Sequence, residues 1–349
     1  MAEQGKGNGN GRGKGNGNGR GKGKGTKERG SWVENLAAEG GIAGAALDAE
    51  AERAAHPRGV PLKRPFNFGR WFRATGWRHI VGLVMVVFAL FPIVFVISSS
   101  LNPNGTLTGS NALFSAIGFE SYVRILTDPQ VPYPQWFANT ILVASVTAIG
   151  TVFLGALAAY SFSRMRFTGR RFGLISIVVV QMFPQMLAVV AIFLLMSSIS
   201  DWFPAIGLNT HIGLIMVYLG GALGVNTFLM YGFFNTIPAS IDEAAKIDGA
   251  GHARIFFTII LRLVAPILAV VALLSFIFSV NEFAVASVML IDTEKQTLAV
   301  GLTKLVSNPR YADWSAFSAG AVMAALPVVV LFLWLQKYIV GGLTAGAVK

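Results

Sequence analysis

An all-α integral membrane protein that crosses the bilayer six times is predicted by three observations. Apolar residues make up 54% of the 349-residue chain and charged residues only 13%, against about 25% charged in ordinary soluble domains. The apolar residues gather in runs of about 20, the length that crosses a hydrocarbon core of about 30 Å. Basic residues collect in alternate connections between those runs, as topology rules require.

The chain opens on a segment that cannot bury anything. Residues 5–25 alternate Gly with Lys, Arg or Asn, a composition with maximal backbone freedom and no apolar surface, so it is predicted to be disordered. Residues 31–55 are rich in Ala and Glu and are compatible with a short helix broken at Gly40 and Gly41, which Pro57 and Pro61 would end. Residues 1–70 are therefore read as a tail and 71–349 as the transmembrane domain. The formal charge of +11 belongs mostly to that tail, because 15 of the 28 Lys and Arg lie in residues 1–78. The first apolar run starts only near His79, too late for a cleaved signal peptide, and is read as a retained span.

The six spans are placed near residues 79–100, 137–162, 172–198, 212–234, 257–280 and 317–338. Pro92, Pro184, Pro266 and Pro327 fall inside them, which membrane helices tolerate where neighbours satisfy the freed carbonyls. Thirteen Lys and Arg lie in the connections and end segments on one side and four on the other, so both termini are predicted to face the cytoplasm. Arg164, Arg166, Arg170 and Arg171 dominate the first cytoplasmic loop, and their role is read as topological, with contact to anionic lipid as a second possibility. With no cysteine in the chain, disulfides, thiolate metal sites and cysteine nucleophiles are excluded.

The most informative connection is Thr236 to Phe257, TIPASIDEAAKIDGAGHARIFF. Ser240 and Glu243 have the spacing of a capping box, so a short helix is expected from about Ile241 to Asp248, ended by Gly249 and Gly251. Ala244, Ala245 and Asp248 lie within one turn and form a small, acidic-edged face that would let a partner backbone approach closely. A docking element and an ordinary amphipathic connector are both compatible with that face.

The string Glu243-Ala244-Ala245, with Gly249 six residues after the Glu and Ile260, Leu261 and Pro266 beyond, resembles the EAA loop of binding-protein-dependent ABC importer permeases. One departure is that Leu261-Arg262 stands where the family usually has Leu-Pro. AYSFSRMRF (Ala159–Phe167), QMFPQML (Gln181–Leu187), IGLNTHIGLI (Ile206–Ile215), TLAVGL (Thr297–Leu302) and GLTAGAVK (Gly342–Lys349) are similar to the smaller permeases of maltose/maltodextrin importers, and the resemblance covers roughly residues 75–349.

That resemblance implies the type I ABC importer permease architecture and a set of partners: a second, larger permease, a cytoplasmic ATPase dimer, an extracytoplasmic sugar-binding protein and the lipid bilayer. It implies that Glu243, Ala244, Ala245, Asp248 and Gly249 contact the ATPase. The terminal segment, including Gly342, Thr344, Gly346 and Lys349, would insert between the ATPase subunits. Residues 281–315 would reach the binding protein. ATP and Mg would be held by the partner subunits, since this chain lacks the Gly-x-x-x-x-Gly-Lys-Ser/Thr pattern that cradles phosphates; no cofactor, metal or catalytic residue is expected here. Gln181, Tyr218, Asn226, Asn281 and Glu282 are the polar side chains in or at the ends of spans that qualify as pathway candidates, against the commoner reading that such groups bond neighbouring helices. The transported solute is expected to be maltose or a maltodextrin, with trehalose or another oligosaccharide as the alternative. A secondary transporter would carry ionisable relays in its spans, and these spans are nearly free of them. A membrane-anchored nucleic-acid binder, raised only by the basic tail, would not need six spans, and the tail has no aromatic residue for base stacking before Trp32.

Overall fold

The computed structural model describes residues 50–51, 68–103, 112–308 and 312–345. The chain divides into two units, Met1–Ile80 and Val81–Lys349, a division that falls inside the first long helix. The disordered segment expected over residues 5–25 lies outside the described residues, as does most of the short helix expected over 31–55.

Every regular element among the described residues is helical. Four helices are long and apolar enough to cross a membrane unbroken: α1 (Trp77–Ser100), α3 (Tyr133–Arg164), α6 (His211–Phe234) and α12 (Trp314–Ala345). Between α1 and α3 lies the short α2 (Glu120–Thr127). The third and fifth expected spans are bent pairs. Helices α4 (Arg170–Gln181) and α5 (Gln185–Trp202) meet at 102°, and α8 (His252–Leu263) and α9 (Ala265–Asn281) meet at 78°. The expected count of six spans is reached when each bent pair is taken as one.

Two of the four prolines in the spans sit at the breaks. Pro92 and Pro327 sit inside continuous helices, but Pro184 directly precedes α5 and Pro266 occupies the first turn of α9. In both bent pairs the proline stands where no helical N–H is needed, which is where its fixed φ is favourable. The departure at Leu261-Arg262 fits this arrangement, because the turn is made at Val264 (φ −91°, ψ 2°) just ahead of Pro266.

Helix α3 is central and packs most extensively on α6 and α9, while α9 also packs on α12. Its contacts use small and hydroxyl residues, with Ala144, Ala148, Thr147, Thr151, Ala156 and Ala159 all buried, which allow the close helix approach on which membrane packing depends. In α1, by contrast, residues 81–97 are not buried and only Ser98–Ser100 are. Those serines tie the helix end down: Ser100 Oγ shares a 2.8 Å hydrogen bond with Tyr122, and Ser318 Oγ donates to Ser99 Oγ at 3.2 Å.

At the opposite end of α3 from Arg164, Trp136 is fully buried among Ile125, Tyr133, Leu298 and Leu302, and its indole N–H donates to the Thr293 carbonyl at 2.7 Å. Trp136→Ala leaves both a cavity and an unpaired carbonyl, and is expected to cost about 3–5 kcal/mol. Thermal unfolding of the detergent-solubilised chain checks this. A melting temperature unchanged from wild type contradicts the packing described.

Between α9 and α12 lie two short α-helices, α10 (Ala284–Met289) and α11 (Leu298–Ser307).

Candidate functional site

Between α6 and α8 the chain makes a short helix, α7 (Ala239–Ile247), with Pro238 immediately before it. The capping box expected from Ser240 and Glu243 is not the device that starts it. Ser240 lies inside the first turn, so the helix begins two residues earlier than the spacing predicts. Pro238, in an extended conformation (φ −57°, ψ 132°), sets the entry angle instead, and Asp242 supplies the acidic residue of the first turn.

The other end is as expected from the sequence. Gly249 has φ +78°, its N–H donates to the Lys246 carbonyl at 3.0 Å, and the Ala250 N–H reaches back to the Ala245 carbonyl at 2.9 Å. This pair of bonds is the Schellman motif, in which a left-handed residue satisfies the last carbonyls of a helix. Only glycine adopts that conformation without strain.

The two faces of α7 differ in kind. Asp242 and Ala245, three residues apart, turn inward and are buried. Ala245 joins a cluster with Ala159, Tyr160, Phe234, Ile255 and Phe256. Glu243, Ala244, Lys246, Ile247 and Asp248 are exposed, and Ile247 is 87% exposed. Of the five residues predicted to meet a partner, Glu243, Ala244, Asp248 and Gly249 lie on the open side. Ala245 does not, because helical geometry rotates it onto the face of Asp242. Ile247, unremarked in the sequence reading, shares the outer face with Glu243 and Ala244, its i−4 and i−3 neighbours. That spacing was the signal that could have found it.

Arg164, read from sequence as a topological charge, is the last residue of α3 and reaches α7. Its Nε lies 2.9 Å from Asp242 Oδ2, with both side chains largely buried, and its Nη2 donates to the Ile237 carbonyl at 2.9 Å. The Nε–H does not point along the contact, so this is an ion pair rather than an aligned hydrogen bond, and Asp242 Oδ1 has no hydrogen-bond partner among the described residues. After α8 begins, Ile255–Ile260 forms a π-helical turn, a local widening often found next to functional segments.

The five pathway candidates do not converge on one cavity. Tyr218 and Glu282 are brought together: the buried phenol donates to Glu282 Oε2 at 2.6 Å, and the same carboxylate accepts the Val285 and Ala286 amides at 2.8 and 3.0 Å. Glu282 thus caps α10 and is half-buried, rather than simply facing water. Asn226 bonds the Ala222 carbonyl and Ser275 Oγ, linking α6 to α9 in the way membrane helices are commonly held. Gln181 donates to the Gly221 carbonyl at 2.9 Å. Asn281 is exposed, bonds the Ile277 carbonyl within its own helix, and lines a groove of about 350 Å³ with Leu298, Leu302 and Ala325.

At the end of the bundle away from α7, the stretch after α10 is clamped onto α3 and onto the residues just before α6. Asn209, in the left-handed region at φ 59°, accepts the Ile291 and Asp292 amides and donates to Asp292 Oδ2. Asn139 donates to the Glu294 and Gln296 carbonyls. The Asn209 amide, followed by Lys295, holds the Asp292 carboxyl below its ordinary value. In the terminal segment, Gly342 and Thr344 continue α12, whereas Gly346 and Lys349 lie outside the described residues.

The described residues thus form a bundle of long apolar helices with a short two-faced helix at one end. The chain belongs to the family of binding-protein-dependent transport system inner membrane components, whose profile matches residues 151–344. It is 40% identical over 281 residues to the maltose/maltodextrin transport system permease protein MalG of Escherichia coli, covering 78% of this chain and 94% of that one. It is 37% identical over 266 residues to the galactooligosaccharides transport system permease protein GanQ of Bacillus subtilis, covering 76% and 92%. Among solved structures, a bacterial ABC transporter involved in import of the acidic polysaccharide alginate matches with a TM-score of 0.65 at 27% identity, over 78% of this chain and 99% of that one.

Proposed function

We propose that this chain is a membrane-spanning permease subunit of an ATP-driven importer for maltose or maltodextrins. The observation that carries the reading is the 40% identity to MalG across 94% of that protein, and the outward face of α7 supplies the matching geometry. In this reading α7 and its flanks, residues 236–257, are the coupling loop. Glu243, Ala244, Ile247, Asp248 and Gly249 meet a cytoplasmic ATPase dimer, which binds ATP and Mg, so the permease chain itself is not catalytic. Closure of that dimer on ATP moves α7 and drives the bundle between inward- and outward-facing states. A second, larger permease completes the pathway, and an extracytoplasmic binding protein delivers sugar. Both termini face the cytoplasm, in keeping with the distribution of Lys and Arg. The terminal segment, with Gly342, Thr344, Gly346 and Lys349, contacts the ATPase between its subunits. The oligosaccharide alternative draws on the GanQ similarity, and uptake competition between maltodextrin, trehalose and galactooligosaccharide separates the solutes.

The test is sugar-stimulated ATP hydrolysis by the complex reconstituted with its ATPase and binding protein. Wild type is expected to respond to maltose-loaded binding protein, and Glu243→Lys, which reverses a charge on the docking face, is expected to lose most of the response while the permeases remain assembled. A full response in the variant would remove α7 from the coupling role.

A further inference from the structure

We propose that the buried Arg164–Asp242 ion pair is the link that passes displacement of α7 to the central helix α3, which makes both residues positioning residues for coupled transport. This inference rests on the permease reading.

Arg164 closes the 32-residue helix α3, the helix with the most extensive packing in the bundle. Its guanidinium grips the segment around α7 at two points, the Ile237 carbonyl just before the helix and Asp242 within its first turn. A planar fork joining two points fixes orientation as well as distance, which a single ammonium would not do.

The other buried residue of α7 is Ala245, which meets the bundle as a methyl group among apolar side chains. Such a contact resists compression and slides sideways at little cost, because dispersion has no direction. The ion pair resists both pulling and sliding. Load applied to Glu243, Ala244 or Ile247 on the outer face therefore reaches α3 through Arg164 in either direction of movement.

The energetics favour a positional role over a stabilising one. A buried pair loses much of its Coulomb attraction to desolvation unless the remaining groups are hydrogen-bonded. Here the Arg164 Nε–H is misaligned and Asp242 Oδ1 has no partner among the described residues. A pair of this kind adds little to stability, and what it does provide is a fixed register between two helices that sequence places far apart.

The test compares sugar imported per ATP hydrolysed in the fully reconstituted complex for wild type, Asp242→Asn, Arg164→Gln, and the apolar double replacement Arg164→Met with Asp242→Leu. Co-purification of the subunits reports assembly in each case. The single variants are expected to hydrolyse ATP yet import at least about fivefold less sugar per ATP, the low end of a typical coupling energy. The Met/Leu pair is expected to assemble at wild-type yield and remain uncoupled. A merely structural contact would lower yield and leave the ratio of the assembled fraction unchanged. An unchanged ratio in the assembled complexes, or failure of the Met/Leu pair to assemble, overturns the proposal. If instead wild type imports sugar without its ATPase, the permease reading itself fails, which the wild-type control distinguishes.

Discussion

Ile247→Asp is expected to abolish sugar-stimulated ATP hydrolysis without removing the chain from the membrane. The side chain is 87% exposed at the end of α7, so replacing it disturbs nothing inside the bundle. An isoleucine buried at an interface contributes about 1.5–3 kcal/mol, and a carboxylate put in its place must be desolvated as well. At about 1.4 kcal/mol per tenfold, affinity for the ATPase should fall between roughly 10-fold and more than 100-fold. Co-purification of the ATPase with the variant measures this directly. Retention at wild-type stoichiometry, with full stimulation, would show that the outer face of α7 is not buried against a partner.

Gly249→Val is expected to have an effect of comparable size by a different route. A Cβ at this position would meet nothing within 4 Å, so steric crowding is not the issue. The cost is torsional, because φ is +78° and a left-handed conformation costs an ordinary residue about 1–2 kcal/mol, more for a β-branched one. Relief of that strain breaks the Ala250–Ala245 and Gly249–Lys246 bonds and unwinds the last turn, which carries Ile247 and Asp248. Gly251 is the matched control. It has φ −72° and also open space around it, so Gly251→Ala should be close to neutral. Equal ATPase stimulation in both variants would contradict the role given to the Schellman turn.

The membrane class was legible because the bilayer imposes a length on every crossing, and hydropathy reads length. It does not read direction. Pro184 and Pro266 look no different in sequence from Pro92 and Pro327, yet the first pair lie where helices break and the second pair lie within unbroken ones.

Within the connection 236–257, the helix and its glycine stop were readable because both are local chemistry. The start was misjudged, since Ser-x-x-Glu is a capping box only if the serine stays outside the helix, and Pro238 starts the turn before it. Orientation followed from helical periodicity once a boundary was known: Asp242 and Ala245 go in, Glu243 and Ile247 go out. The pairing of Arg164 with Asp242, and of Tyr218 with Glu282, could not be read from one sequence, because each joins residues on different helices. Arg164 was assigned to topology by counting charges, and only its reach across to α7 shows that it has a further contact.

The most direct test of the central claim is maltose uptake into proteoliposomes that contain this chain, its sister permease and the binding protein, measured with the ATPase subunits and ATP present and again with the ATPase omitted. The account predicts accumulation against a gradient only in the first case, and its loss when ATP is replaced by a non-hydrolysable analogue. Accumulation that persists without the ATPase would contradict it and would place the energy source within the membrane chains themselves.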